Sequence, residues 1–404
     1  MTTAPRPLPT DAPDPRGAPP RLFHLTTTDM SLDWLLGPQL RAFAAAGYEV
    51  VGVSAAGPHV ANLNAAGIRH IPVDSLTRAP SLRADVKAFV ALVRLLRRER
   101  PQVLHTHNPK PGVLGRIAGR LARVPVVVNT QHGLYAQPTD SWKRRLPVYT
   151  LERVAAAFGH AELVQNPEDA ATLVRRLRVP RRKVSVLGNG IDLTRFDGSR
   201  AARARTRAEW GVADGTVLVG VVGRLVREKG LAEIVASAGA LRDHQPPITV
   251  VVVGPADPDK ADGFDATALA AAGAQGVRFV GRRDDMPECY SAMDIFLTAT
   301  HREGFPRAAM EASASGLPVI ATDIRGCRQV VVDGETGLLV PVRDPEALAT
   351  AVARLAADEP TRGRMGEAGA LRAAAEFDQQ RVITLTLATY ERLLRGKGLR
   401  APNR

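Results

Sequence analysis

Short runs of β-branched and aliphatic residues alternate with stretches of helical spacing along nearly the whole chain, and this alternation decides the fold class. RLFHLTT, YEVVGVS, IRHIPV, PQVLHTH, PVVVNTQH and AELVQ succeed one another from Arg21, and VSVLGNGID closes the series near Asp192. Strands separated by helices in this way specify a parallel sheet with crossover helices. A second series opens with TVLVGVVGRL and runs through ITVVVVGP, VRFVG, DIFLTAT, PVIATD and GETGLLV to two C-terminal helices starting near Pro345. The expectation is an α/β protein of two doubly wound, Rossmann-like domains facing across a cleft, residues 21–195 in one and 205–375 in the other. A polar stretch rich in Arg and Ala, reaching Arg207, marks the boundary, and residues 376–404 supply a C-terminal helix able to cross back to the first domain. Residues 1–20 hold seven prolines, each of which removes a backbone donor, so a disordered leader is expected there.

Composition narrows the function classes. The net charge is +13, and all of it lies in the first half: residues 1–200 hold 28 Lys and Arg against 15 Asp and Glu, the remainder 26 of each. Such asymmetry points to a negatively charged partner, whether membrane surface, nucleic acid or phosphorylated substrate. Aromatic residues make up only 4% of the chain, which counts against stacking of single-stranded bases, and no nucleic acid is expected. Cys289 and Cys327 form no Cys-x-x-Cys pair, so neither a disulfide framework nor a zinc site is indicated, and a reducing cytoplasm is the default. No apolar run reaches the ~18 to 20 residues of a membrane span, and the N-terminus lacks the apolar core of a signal peptide. Any membrane contact is expected to be peripheral.

GRLVREKG, Gly223 to Gly230, follows a strand and opens a helix, the place where doubly wound sheets bind ligands. Gly223 ends the strand, while Arg224 and Lys229 share the loop, so a planar guanidinium and a compact ammonium can reach one diphosphate. Two solvated charges at a helix start would give the same string. In HREGFPRAAME, Pro306 suits the first position of a helix, which leaves Glu303 in the loop before it and Glu311 inside its second turn. Free backbone donors around Gly304 to Ala309, with the positive end of the helix dipole, suit an anion or an electron-rich sugar oxygen framed by two carboxylates. The competing account is a favourable N-terminal Glu and one unrelated Glu. His105 and His107, two apart at a strand end, share one face, but no third metal ligand accompanies them. Cleft lining beside an acceptor suits them better, as an acceptor phosphate suits Lys110. Arg282 and Arg283, after VRFVG, are placed to line a nucleobase pocket.

GRLVREKG, EGFPRAAMEASASGLPVIATDIRGCRQVVVDGETGLLV, the NGID at Asn189 to Asp192 and the NTQHG at Asn129 to Gly133 together resemble, in order and spacing, glycosyltransferase family 4, retaining enzymes of the GT-B fold. The resemblance implies that Arg224 and Lys229 hold the diphosphate of a nucleotide sugar. It implies that Glu303, with the backbone of Gly304, Phe305 and Pro306, holds the sugar hydroxyls, that Glu311 binds the ribose and that His132 reaches toward the donor sugar. The catalytic set is then His132, Arg224, Lys229 and Glu303. Where many relatives carry a glycine-rich turn, Thr26 to Ser31 contain no glycine, and Ser31 is placed on the acceptor side with His107 and Lys110. HTHNPKPGVLGRIAG, LVQNPEDAATL and ATDIRGCR are similar to members that extend sugars on undecaprenyl diphosphate at the cytoplasmic membrane.

The expected partners are thus a nucleotide sugar, UDP-linked ahead of GDP-linked, a polyprenyl-diphosphate-linked acceptor and the anionic inner face of the cell membrane. RLLRRER (94–100), KRR (143–145) and RRLRVPRRK (175–183) could rest on such a surface, at about 1 kcal/mol per nearby charge. Breaking the bond from an anomeric carbon to phosphate builds negative charge on the diphosphate, which preorganised cations stabilise. With Arg224, Lys229 and a helix N-terminus serving that charge, and no Asp-x-Asp motif next to the sugar site, metal-independent transfer without a cofactor is expected. Retention uses either a carboxylate nucleophile or front-face attack in which the departing phosphate takes the acceptor's proton, and the resemblance favours the second. The alternatives are a small soluble acceptor, or a non-catalytic basic protein that binds membrane or nucleic acid.

Overall fold

The computed structural model describes residues 19–402 apart from 78, 80, 108, 139, 197–199 and 257–261, so all but the last two residues of the expected leader lie outside the described residues. Two parallel sheets organise the chain. The first comprises β1 (Arg21–Thr28), β2 (Glu49–Ala55), β3 (Arg69–Pro72), β4 (Val103–His107), β5 (Val126–Gln131), β6 (Ala161–Val164) and β7 (Val184–Val186), in the order β3-β2-β1-β4-β5-β6-β7. The second comprises β8 (Val217–Val222), β9 (Ile248–Val253), β10 (Val277–Gly281), β11 (Ile295–Thr298), β12 (Val319–Thr322) and β13 (Gly337–Val340), in the order β10-β9-β8-β11-β12-β13. These are the same doubly wound order, with one strand more in the first. Each reverses direction at a switch point, between β1 and β4 in one and between β8 and β11 in the other, and ligands bind beyond the carboxyl ends of strands at such points.

β4, β5 and β12 are buried along their whole length, as strands covered by helices on both faces must be. Under the first sheet, Phe23, Leu25, Val51, Leu104 and Val127 meet Leu92 and Leu96 from the helix Leu82–Glu99. In the second, successive strand residues face opposite layers: Leu218, Val251, Phe296 and Val319 pack with Tyr290 and Met310, whereas Val219, Val252, Leu297 and Ile320 pack with Ile234 and Leu348. The chain divides into two compact units, Met1–Asn129 with Phe158–His160 and Leu387–Arg404, and Thr130–Ala157 with Ala161–Thr386.

One expectation gains detail and another is corrected. The polar stretch reaching Arg207 is a helix, Arg200–Glu209, whose Arg203 and Arg207 both pair with Asp294 below β11, so its charge anchors it to the second sheet. The two C-terminal helices are three, Pro345–Ala357, Glu359–Glu376 and Gln379–Arg395, because Asp358 caps the second by accepting from the Thr361 N–H, with Pro360 in its first turn. Among the described residues no helix is long and apolar enough to cross a membrane.

Candidate functional site

At the second sheet's switch point β8 delivers Gly223 and a half-buried Arg224, and one tight turn, Arg227–Lys229, leads to the helix Leu231–Ala240. Gly230 joins turn to helix at φ 74°, and a Cβ there would stand 2.1 Å from the Ala299 carbonyl oxygen, so this joint requires glycine. The loop after β11 brings Glu303 to Lys229, whose ammonium donates to the carboxylate in a direct ion pair. The two side chains remain 32% and 26% exposed, which leaves the pair reachable by a ligand. His301 ties the two loops together: its backbone N–H donates to the Glu228 carbonyl at 2.9 Å and its ring pairs with Glu233.

Gly304 to Pro306 then turn into the helix Arg307–Ala314, with Pro306 as its N-terminal cap rather than its first residue. Backbones meet here more closely than side chains would permit. A Cβ on Gly304 would lie 2.2 Å from the His132 carbonyl oxygen, and one on Gly133 would lie 2.8 Å from the Gly304 Cα. The His132–Gly133 turn is thereby seated on the Glu303 loop. His132 Nδ1 lies 3.3 Å from Gln165 Nε2, and desolvation pulls its pKa down to about 4, so the imidazole is neutral at pH 7. Asn166 Nδ2 donates to the Gly304 carbonyl at 3.2 Å and Asn189 Nδ2 to the Phe305 carbonyl at 3.3 Å. Gln165, Asn166 and Arg325, which pairs with Asp169 at 2.6 Å, were not among the expected site residues. Their motifs stand in LVQNPEDAATL and ATDIRGCR, but their partners lie far away along the chain.

Glu311 sits one turn inside the helix, where its oxygens accept from the Tyr290 hydroxyl at 2.9 Å and Arg307 Nε at 3.1 Å. Tyr290 is fully buried, and burial raises its pKa well above the ordinary phenol value, so it remains a donor. Phe305 packs edge-on against Phe377 at 5.8 Å. Arg283 forks onto Asp285 and Glu209, and these contacts raise its pKa further.

The first sheet's switch point is built differently. The expectation that His105 and His107 lack a third companion is corrected by His24, which is the β1 partner of His105 in the strand register and puts a ring nitrogen within 4.8 Å of theirs. His24 Nδ1 lies 3.0 Å from His107 Nε2, the Tyr390 hydroxyl bonds His105 Nδ1, and the His24 ring stacks on Phe43 at 5.4 Å. Desolvation pulls the His24 pKa down to about 3. Among the described residues this is the one cluster of side chains spaced to hold a metal ion, and it contains no carboxylate. Ser31 Oγ stands 3.2 Å from Thr28 Oγ1 at the start of a wide turn, Ser31–Leu35. Lys110 pairs with Asp85 at 2.7 Å and donates to the Ala79 carbonyl at 2.7 Å.

Residues 202–372 match the family model described as glycosyl transferases group 1, and residues 39–195 match that described as glycosyltransferase family 4. The chain is 30% identical over 296 residues to the UDP-Gal:alpha-D-GlcNAc-diphosphoundecaprenol alpha-1,3-galactosyltransferase of Escherichia coli, covering 72% of this chain and 76% of that one. It is 26% identical to the capsular polysaccharide biosynthesis glycosyltransferase CapM of Staphylococcus aureus, over 89% of this chain and 94% of that one. It is 31% identical to a D-inositol 3-phosphate glycosyltransferase of Corynebacterium glutamicum, over 76% of each. Among solved structures, Anabaena HepE in complex with UDP and glucose shares the fold at a TM-score of 0.76 and 19% identity, over 92% of this chain and all of that one.

Proposed function

The chain belongs to glycosyltransferase family 4, and from that premise we propose that it is a retaining, metal-independent enzyme of glycan assembly. It moves a sugar from a nucleoside diphosphate donor, UDP-linked ahead of GDP-linked, to a hydroxyl of a lipid-linked glycan at the inner face of the cell membrane. The family membership removes the alternative of a non-catalytic basic protein.

The observation that carries the proposal is the partly exposed Lys229–Glu303 pair, in the loop that Arg224 opens at the end of β8 and before the helix Arg307–Ala314. Without donor, each charge satisfies the other. A donor's diphosphate draws the Lys229 ammonium and the Arg224 guanidinium to itself, which frees the Glu303 carboxylate to accept from sugar hydroxyls. As the anomeric C–O bond to phosphate breaks, the leaving charge falls on those cations and on the N-terminal amides of the helix. The acceptor oxygen forms the new bond on the same face, and its proton passes to the departing phosphate oxygen. His132, neutral because of burial, serves as a hydrogen-bonding partner to the sugar and carries no competing charge.

A lipid-linked acceptor is supported by the name of the Escherichia coli relative and by the helix Trp142–Phe158. Trp142 and Leu146 on that helix are 65% and 59% exposed next to Lys143 and Arg144, a composition suited to an anionic lipid interface. The second reading, a small soluble acceptor, is favoured by the relatives named D-inositol 3-phosphate glycosyltransferase.

The test is transfer from a panel of radiolabelled UDP- and GDP-sugars in EDTA, with a prenyl-diphosphate-linked GlcNAc and with inositol phosphate as acceptors. Label partitioning into organic solvent, with an α-configured product from an α-configured donor by NMR, is the expected result. Water-soluble product, an inverted anomer or a strict need for divalent cation would each overturn the corresponding part.

A further inference from the structure

Beyond the donor loops, a cavity of about 400 Å³ is lined by Arg175, Arg176, Arg325 and Arg328 together with Glu168 and Asp169. Four guanidiniums against two carboxylates leave the lining with an excess of positive charge. Arg325 is the built part of the site, only 7% exposed. Its Nη1 donates to Asp169 and its Nη2 to the Leu134 carbonyl, while its Nε is buried with no hydrogen-bond partner. Asp169 takes Nη1 rather than that Nε, and its other oxygen accepts from the Leu134 N–H at 3.1 Å and Asn166 Nδ2 at 3.0 Å. Arg328 is held by Glu168 and Asp323. Arg175 and Arg176 stand exposed at the rim and pair with no carboxylate among the described residues. A wall arginine with one unpartnered N–H and two rim arginines without a carboxylate partner together ask for a ligand that only accepts hydrogen bonds and bears negative charge.

The cavity's place in the fold narrows that ligand. Its wall includes Gln137 and Pro138, in the loop that leads into the exposed apolar residues Trp142 and Leu146. On its other side, a Cβ on Gly133 would lie 3.4 Å from Arg325 Nη2 and 2.8 Å from the Gly304 Cα. The cavity therefore adjoins the Glu303–Gly304 turn without including Lys229 or Arg224. We propose that this arginine cavity is the binding site for the diphosphate of the acceptor, with the attached sugar next to the Gly304 turn and the lipid chain leaving along the exposed face of the helix Trp142–Phe158. The inference rests on the lipid-linked reading of the acceptor.

The experiment measures binding of farnesyl diphosphate, inorganic pyrophosphate and inorganic phosphate to the full chain by calorimetry, with the donor site filled by saturating UDP. Wild type and Arg175→Ala/Arg176→Ala are compared; both positions are exposed, so the variant folds, and unchanged UDP affinity confirms it. The expected result is farnesyl diphosphate bound to wild type, displaced by pyrophosphate, and at least ten-fold weaker in the variant. Equal binding of both proteins, or no binding by wild type, overturns the assignment. Inorganic phosphate binding as tightly as farnesyl diphosphate also overturns it, by making the cavity a general anion site. Should wild type fail to bind UDP, that failure falls on the donor reading, and the farnesyl diphosphate comparison without UDP still decides the cavity.

Discussion

β1 and β4 of the first sheet occupy the same places as β8 and β11 of the second, yet the polar side chains on or just beyond them are satisfied in opposite ways. Beyond β8 and β11 the polar groups are full charges, Lys229 against Glu303, paired across two loops and still a quarter to a third exposed. Beside β1 and β4 they are imidazoles, buried and bonded within the unit to one another and to Tyr390. A partly exposed ion pair contributes little to stability, on the order of 0–1 kcal/mol, so a ligand can take over either partner at small cost. A buried hydrogen-bonded network is costly to break, because each freed group loses about 1–3 kcal/mol of compensation. The same strand order thus yields one switch point ready to exchange partners and one that holds a fixed shape.

The sharpest way to break this contrast is at Lys229. Lys229→Ala is expected to lower kcat/KM by about 10² or more, as removal of a preorganised contact to developing charge does, with little change in melting temperature. A large loss of stability with retained turnover would reverse the roles assigned to the two regions. Gly230→Ala should act mainly on the fold, since φ 74° and the Ala299 carbonyl leave no room for a Cβ. A fall in melting temperature of roughly 5 °C or more is expected by calorimetry.

A smaller effect belongs to Tyr290→Phe, which removes one hydrogen bond to Glu311. At about 1 kcal/mol, donor affinity measured by calorimetry should weaken by roughly five-fold with kcat nearly unchanged. A last test is the pH response of the first sheet. Burial lowers the His24 pKa from 6.5 to about 3, so between those values the unfolded chain binds a proton that the native one does not, and stability falls as pH drops through that window. His24→Gln should make the acid limb of a plot of denaturation midpoint against pH shallower; an unchanged limb would show that His24 is not held neutral.

The contrast also explains what could be foreseen from the sequence. Both sheets were legible because their strands are continuous Val, Ile and Leu runs such as ITVVVV, and the Glu303 to Glu311 spacing around Pro306 placed both carboxylates correctly about one helix start. Those signals are local. His24 was missed as the companion of His105 because strand register, across some eighty residues, brings them together. Arg325 and Asp169 are joined across 156 positions, and no periodicity announces such a pair. The helix Arg200–Glu209 was hidden for another reason: its arginines look solvated in sequence, whereas Arg203 and Arg207 converge on Asp294.

The central claim is that Lys229 and Arg224 form a cationic donor site which needs no metal. Its most direct test is a calorimetric titration of the full chain with UDP-sugars and GDP-sugars in EDTA, on wild type, Arg224→Ala and Lys229→Ala. The account predicts that wild type binds one nucleotide family in the absence of divalent cation and that either substitution weakens this binding at least ten-fold. Binding that appears only on adding magnesium or manganese, or that both variants retain at full strength, would contradict it.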